Sequence, residues 1–148
     1  MATINGCNLP EDLYYNIEKH TWAKPMEGNT VRIGMTTVAA KLSGGNLTGV
    51  TVSKRKIGKE LKQGKSVAMV ESSKFVGPVP APVQGTLVRG NDKVAEDPSI
   101  AVSDPYGEGW IAEMEATDWE TDKASLVTGA DGLETYKAKL EEEGISCD

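Results

Sequence analysis

The stretch from Val70 to Pro82, VESSKFVGPVPAP, sets one amine, Lys74, between an apolar strand-like run and a segment carrying Pro78, Pro80 and Pro82. A lone exposed lysine is ordinarily a solubilising charge. This one follows Glu71, Ser72 and Ser73, serine being a residue that favours turns through its side-chain hydrogen bonds. The prolines fix three backbone angles and remove three donors, which suits an edge or extended return strand. A modifying enzyme needs a protruding lysine on an ordered turn, because ordering a floppy segment subtracts from binding. The pattern therefore points to a displayed amine that is modified rather than to a catalytic group.

Little else in the chain could do chemistry. The single histidine, His20, has no Cys/His cluster around it in sequence to build a metal site, so packing or a hydrogen bond is its expected role. One histidine and no nucleophile elbow leave no Ser/His/acid arrangement, so no catalytic residue is assigned. The segment YGEGW lacks the Gly-x-Gly-x-x-Gly spacing of a dinucleotide site. Gly107 and Gly109 read as turn residues, and Trp110 as the start of a partly buried strand. Trp119, between Asp118 and Glu120, is either a core anchor or a partner contact.

The elements that must hold Lys74 are short. At 148 residues the chain is of single-domain size, and runs such as TVRIGM, GVTVS, SVAMVES, VQGTLV and PSIAVS are punctuated by glycine and proline. The expected class is mainly β, with helices at PEDLYYNIEK (10–19), at TTVAAKLSGG ending in Gly44 and Gly45, and near the C-terminus. In that last helix Asp131 serves as cap, Leu133, Tyr136 and Leu140 share a face, and Gly144 ends it. A weak internal repeat aligns GVTV (49–52) with GTLV (85–88) and SVAM (66–69) with SIAV (99–102), giving two strand–loop–strand halves joined through Lys74.

Sixteen basic and twenty-two acidic residues give a formal charge of −6, which repels phosphate backbones and anionic membrane surfaces. No nucleic acid and no membrane partner are expected. With no apolar run long enough to span a bilayer and no basic, apolar leader, a soluble cytoplasmic protein is expected. Lys54, Arg55, Lys56 and Lys59 form a basic cluster that reads as a solvated loop, or as a steering patch for a partner of opposite charge. Cys7 and Cys147 lack metal-ligand spacing and read as two free thiols, with a disulfide between chain ends as the alternative.

VESSKFVGPVPAPVQGTLV resembles the lipoyl-lysine hairpin of the glycine cleavage H-protein family. HTWAK (20–24) resembles the family's His-x-Trp element, VRIGMTTVAAKLSG (31–44) its strand and short helix, DPYGEGWI (104–111) its C-terminal signature, and LETYKAKLEEEG (133–144) its closing helix. The likeness covers about residues 12 to 144. It implies a barrel-sandwich hybrid of the lipoyl/biotinyl hammerhead type with flanking short helices and a C-terminal helix. The expected organisation is one carrier domain over 1–148, with a core at about 20–116 and a helical extension at about 117–144. It implies lipoic acid in amide linkage to Lys74, with Glu71, Ser72, Ser73 and Phe75 as the hairpin flank. The dithiolane ring that ends such an arm cannot reach the dihedral near ~90° that a disulfide prefers, so it is readily reduced. Biotin, the competing group on this hairpin design, is disfavoured because its lysine sits between methionines, not Ser73 and Phe75.

Two stretches depart from the family pattern. After the lysine the family has a small residue and a Ser-Asp pair, whereas this chain has Phe75-Val76-Gly77-Pro78-Val79; and where the family resembles VVFVELPEVG, this chain reads LTGVTVSKRKIGK. Both resemble H-protein relatives of the sulfur-oxidising, heterodisulfide-reductase-like pathway. The resemblance implies a carrier of sulfur-bound intermediates, with the glycine cleavage carrier of an aminomethyl group as the alternative and an unmodified interaction module as a further one. The implied partners are a lipoate-attaching enzyme, a heterodisulfide-reductase-like complex or the glycine cleavage enzymes, and a dihydrolipoamide dehydrogenase-like protein. A monomer is expected.

Overall fold

The computed structural model describes residues 2–147. Its strands are β1 (Ala2–Ile4), β2 (Cys7–Leu9), β3 (Tyr14–Asn16), β4 (Thr21–Pro25), β5 (Thr30–Met35), β6 (Gly49–Thr51), β7 (Glu60–Leu61), β8 (Ser66–Glu71), β9 (Val76–Pro80), β10 (Gly85–Gly90), β11 (Ala112–Ala116) and β12 (Val127–Thr128). The helices are α1 (Thr37–Leu42), α2 (Asp92–Glu96), α3 (Ile100–Ser103), α4 (Trp119–Asp122) and α5 (Gly129–Glu143). β12, β3, β4, β5, β11, β10 and β7 form a seven-stranded sheet in that order, β6, β8 and β9 a three-stranded one, and β1 and β2 a hairpin. Mainly β, with short helices and a closing C-terminal helix, is the architecture expected.

The two larger sheets bury one face each. Val31 and Ile33 of β5, Leu87 of β10 and Met114 of β11 meet Val67 and Val70 of β8 and Val79 of β9 in one cluster. Alternation sets the register of the second half of β8: Ala68 and Val70 point in while Met69 and Glu71 stay out, and Val67, at the register shift between Ser66 and Ala68, is buried as well. A second cluster lies under α5, where Leu133, Tyr136 and Leu140 cover Leu9, Leu13, Tyr15, Trp22 and Val38. These three α5 residues form the apolar stripe anticipated from their spacing. Gly144 closes the helix in the left-handed region at φ 69°. Thr128, not Asp131, is the N-cap; Asp131 lies within the first turn, where its charge still complements the helix dipole.

Three further expectations are corrected. Residues 10–19 do not form a helix: Leu13 and Tyr15 are buried with a period of two, and β3 pairs Tyr15 with Trp22 of β4. The Tyr15 hydroxyl donates to Pro10 O at 2.6 Å, and Asn16 Oδ1 accepts from the amides of Glu18 and Lys19, both at 3.1 Å, which turns the chain instead of coiling it. PSIAVS is not a strand. Asp97 Oδ1 accepts from the Ser99 amide at 3.2 Å, and Ser103 N–H bonds Ser99 O at 2.9 Å, so a local turn leads into α3. The strand beside β10 is β11, two residues beyond Trp110, so the second half of the repeat does not hold as a strand pair.

The third correction concerns the cysteines. Cys7 and Cys147 form a disulfide, with Cα atoms 5.0 Å apart, because the tail after Gly144 runs back to the β1–β2 turn, where Cys147 N–H donates to Asn5 O at 2.9 Å. The bridge closes a loop over a sequence separation of 140 residues. Cross-linking so distant a pair restricts the unfolded chain strongly, and losing it costs about 2–5 kcal/mol. The variant Cys147→Ser is expected to lower the unfolding free energy obtained from urea titration by that much; equal free energies for variant and parent would show that the bridge adds no stability.

Candidate functional site

β8 delivers the chain to Lys74 and β9 takes it away. Their ladder runs from Ser66 opposite Pro80 to Glu71 opposite Val76, and Thr48 N–H donates to Glu71 O at 2.8 Å, fastening the hairpin on its β6 side. Among the described residues β9 pairs only with β8, so Pro78 and Pro80 occupy an edge strand where missing donors do no harm. The turn is closed by Ser72 N–H to Phe75 O at 2.7 Å and by Lys74 N–H to Ser72 Oγ at 3.2 Å. Ser73, Lys74 and Phe75 are exposed, and Ser72 is half-buried.

Among the described residues Lys74 has no ion-pair partner, and Glu71, the nearest acid in sequence, faces Gly49. The lysine stem crosses the end of α1. A Cβ at Gly44 would lie 2.9 Å from Lys74 Cδ, so the glycine after α1 makes room for the stem. Gly44 has φ 97° and Gly45 φ 85°, a path that only glycine follows without strain and that ends α1 beside the hairpin.

Between the hairpin, the end of α1 and the 18–21 turn lies a cleft of about 600 Å³. Its floor is apolar: Phe75, folded back over Gly77, and Val76 line it together with Met35 and Leu42. Phe75 is 46 % and Val76 64 % exposed, large apolar side chains that the fold leaves partly uncovered. Glu18, Lys19 and Glu143 add charges to the lining. Thr21 also lines the cleft, and its buried Oγ1 has no hydrogen-bond partner among the described residues. A second depression of about 300 Å³ near Gly28 and Asp118 holds no amine or nucleophile with a role. Trp119 at its edge packs edge-on against Tyr14 at 4.9 Å, which makes it an anchor.

His20 forms the cleft's back wall and packs as expected of it. Its Nδ1 shares a 2.7 Å hydrogen bond with the Tyr136 hydroxyl, and its ring stacks on that tyrosine. The neighbouring element DPYGEGWI serves the same wall from behind: Trp22 Nε1 donates to Pro105 O at 3.0 Å, and the Tyr106 hydroxyl donates to Asn8 O at 2.6 Å. No group of three potential metal-ligating side chains occurs among the described residues, and no helix there is long and apolar enough to cross a membrane.

The model of the family "Glycine cleavage H-protein" matches residues 13–142. This chain belongs to the glycine cleavage H-protein family. It is 42% identical to "Glycine cleavage system H protein 5" of Aquifex aeolicus, over 99% of both chains. It is 39% identical to "Glycine cleavage system H protein 2" of the same organism, over 96% of this chain and 86% of that one. A crystal structure of a glycine cleavage system H protein from Mycobacterium marinum superposes with a TM-score of 0.70 at 27% identity, covering 93% of this chain and all of that one. Members of the family are non-catalytic lipoyl carriers, and this chain is a carrier rather than an enzyme.

The hairpin flank was legible from its letters; Thr21, Leu42 and Gly44 were not picked out as site residues. The signals that could have found them are the His-x-Trp element around Thr21 and the paired glycines after α1.

Burial holds His20 below the ordinary histidine pKa of 6.5, with Lys139 acting in the same direction and Glu143 opposing. The fold therefore favours the neutral ring. This contribution is complete above about pH 6.5 and is lost as pH falls, because the unfolded chain takes up a proton that the folded one declines. Urea unfolding of the parent is expected to lose more stability between about pH 7 and pH 5 than that of His20→Asn, which tolerates the positive φ. Parallel pH profiles would show that His20 titrates alike in both states.

Proposed function

We propose that this protein is a lipoyl carrier of the glycine cleavage type, working as a single domain, with Lys74 as the attachment residue. The observation that carries the reading is an exposed amine without an ion pair, at the tip of a closed hairpin, in a chain of the H-protein family. Glu71, Ser72, Ser73 and Phe75 form the flank that a lipoate-attaching enzyme reads.

The residues present fit the group. Phe75, Val76, Leu42 and Met35 offer an apolar shelter of sufficient volume beside the lysine, and the Thr21 hydroxyl is an orphan that a bound polar atom would satisfy. When attached, a lipoyl group supplies a sulfur pair that opens to two thiols and holds a transferred fragment. The chain's own part is positional: the Ser72 bonds keep the amine's backbone in place, Gly44 gives the stem its path, and the cleft excludes water from what lies in it.

The relatives' names favour the glycine cleavage enzymes as partners, and with them an aminomethyl group as cargo. The cleft's charges do not decide the cargo, because Lys19 stands beside Glu18 in the lining and Glu143 is paired with Lys139 at 3.4 Å. The apolar Phe75-Val76 floor is the observation that favours the second reading, a sulfur-bound cargo passed to a heterodisulfide-reductase-like complex. Both readings imply a cytoplasmic protein.

Coexpression with a lipoate-attaching enzyme is expected to add one lipoyl mass to the intact protein, absent in Lys74→Arg and retained in Lys65→Arg. An adduct that survives Lys74→Arg would remove Lys74 from the site. Glycine decarboxylase with glycine is then expected to load the lipoylated chain with an aminomethyl mass. Failure of that loading, together with a sulfur adduct from thiosulfate, would transfer the reading to the sulfur route.

A further inference from the structure

The segment from Lys54 to Lys65 holds six of the sixteen cations, Lys54, Arg55, Lys56, Lys59, Lys62 and Lys65, and one acid, Glu60. The rest of the chain has ten cations and twenty-one acids. Charge is thus segregated: a net of +5 on one segment and −11 on everything else, where surfaces ordinarily mix the two signs. The Lys56 ammonium is committed to Ser66 O at 2.9 Å, and the other five cations make no ion pair among the described residues. Glu60 is turned to the Thr117 hydroxyl at 3.4 Å, not to any of them.

These cations are not on a loose loop. Gly58 N–H donates to Leu87 O at 2.8 Å and Leu87 N–H to Lys59 O at 3.1 Å, and β7 pairs with β10. Gly64 N–H donates to Ala81 O at 2.9 Å and Ala81 N–H to Lys65 O at 2.7 Å. Amid the charges stands Ile57, 40 % exposed. An ordered cationic surface with an aliphatic side chain within it has the make-up of a protein-binding patch, where an apolar contact is ringed by steering charges.

Its position follows from the strand register. β6 runs from Gly49 opposite Glu71 to Thr51 opposite Met69, so the chain leaves it at the Ser66 end of β8, whereas Lys74 lies past the Glu71 end. Six residues of strand separate the two, roughly 20 Å.

We propose that residues 53–65 are a docking platform for an acidic protein surface with an exposed aliphatic group facing Ile57, at the pole opposite Lys74. A partner seated on the cations around Ile57 leaves the amine and the Phe75 end of its cleft open to a different protein; Gly64, which lines the Pro80 end of that cleft, marks the limit of the platform. An extended polyanion fits less well, because beyond the patch it meets a surface of net −11 at distances comparable with the screening length of about 8 Å. The proposal is independent of what Lys74 carries.

The test titrates the full-length, isotopically labelled protein with a short peptide of repeated Glu-Glu-Leu and, in parallel, with oligoglutamate, a short DNA duplex and phosphatidylglycerol vesicles, following backbone amide shifts. The expected result is shifts confined to 53–65 and neighbouring β10, with the Glu-Glu-Leu peptide about tenfold tighter than oligoglutamate or DNA. Ile57→Ser removes that advantage. The triple variant Lys54→Gln/Arg55→Gln/Lys59→Gln lowers affinity by about tenfold or more, and binding weakens steeply with salt. The spectra of both variants report whether each is folded. DNA or vesicles binding as tightly as the peptide would make the surface a polyanion site and overturn the proposal. Concentration-dependent shifts without any probe would assign the patch to a second copy, and no shifts with any probe would leave a solvated loop; either result refutes it.

Discussion

The site depends on one constraint: from Ala68 to Glu71 only one face of β8 can be buried. Ala68 and Val70 belong to the main core with Val79 of β9, and a slip of one residue would turn them to solvent and bring Met69 and Glu71 inward. Two buried valines on β8 and one on β9 contribute several kcal/mol of apolar burial, on the order of 1.5–3 kcal/mol each. The register is therefore fixed from within, and with it the residues left over for the turn. Lys74 is displayed because the core claims Val70 and Val79 on the strands that flank its turn. The prolines then keep the outer edge of the hairpin from recruiting another strand.

A second set of bonds shapes the wall facing that hairpin. Tyr136 of α5 joins His20 and Thr36 through its hydroxyl, at 2.7 and 3.3 Å, while Thr36 caps α1 by accepting from Ala39 N–H at 3.4 Å. One buried phenol thus ties the 18–21 turn, the start of α1 and the C-terminal helix together, and burial raises its pKa so that it stays protonated. The disulfide lies just beyond, between the tail that follows α5 and β2. Elements distant in sequence hold the cleft at a fixed width against the hairpin.

What the sequence made legible divides along the same lines. The β8–β9 hairpin, β5, α1 and the stripe of α5 show their periodicities in the letters, because each owes its form to local pattern and one buried face. β3 and α3 were misread because local cues competed with tertiary ones. Pro10 followed by two acids resembles a helix start, yet pairing with β4 and the Tyr15 hydroxyl bond decide for a strand. SIAV is β-branched, yet the Asp97-Pro98-Ser99 turn coils it. β11, AEMEA, has poor strand propensity and buries Glu113, which is paired by Arg32 at 3.0 Å and Arg89 at 2.6 Å from strands on either side. No reading along the chain supplies those two guanidinium groups. The disulfide and the cleft are likewise products of chain ends and turns meeting in space.

The arrangement of charge completes the picture of a carrier. A protein that visits more than one partner must present its reactive tip without being held too firmly by any of them, since tight docking at the tip would slow release. Steering charge at the tip would also attract every anionic surface to the cargo. Around Lys74 the exposed neighbours are Ser73, Phe75, Val76 and the acidic Glu71, and the lysine's own charge would vanish on amide formation, so the hairpin then carries no cation. The uncompensated cations lie instead at the far end of β8, on backbone fastened to β10 and to Ala81. Separating attraction from chemistry by the length of one strand lets long-range encounter and short-range transfer be tuned by different residues. A rigid β-sandwich preserves that separation, because its two poles are joined by the same buried valines that fix the register.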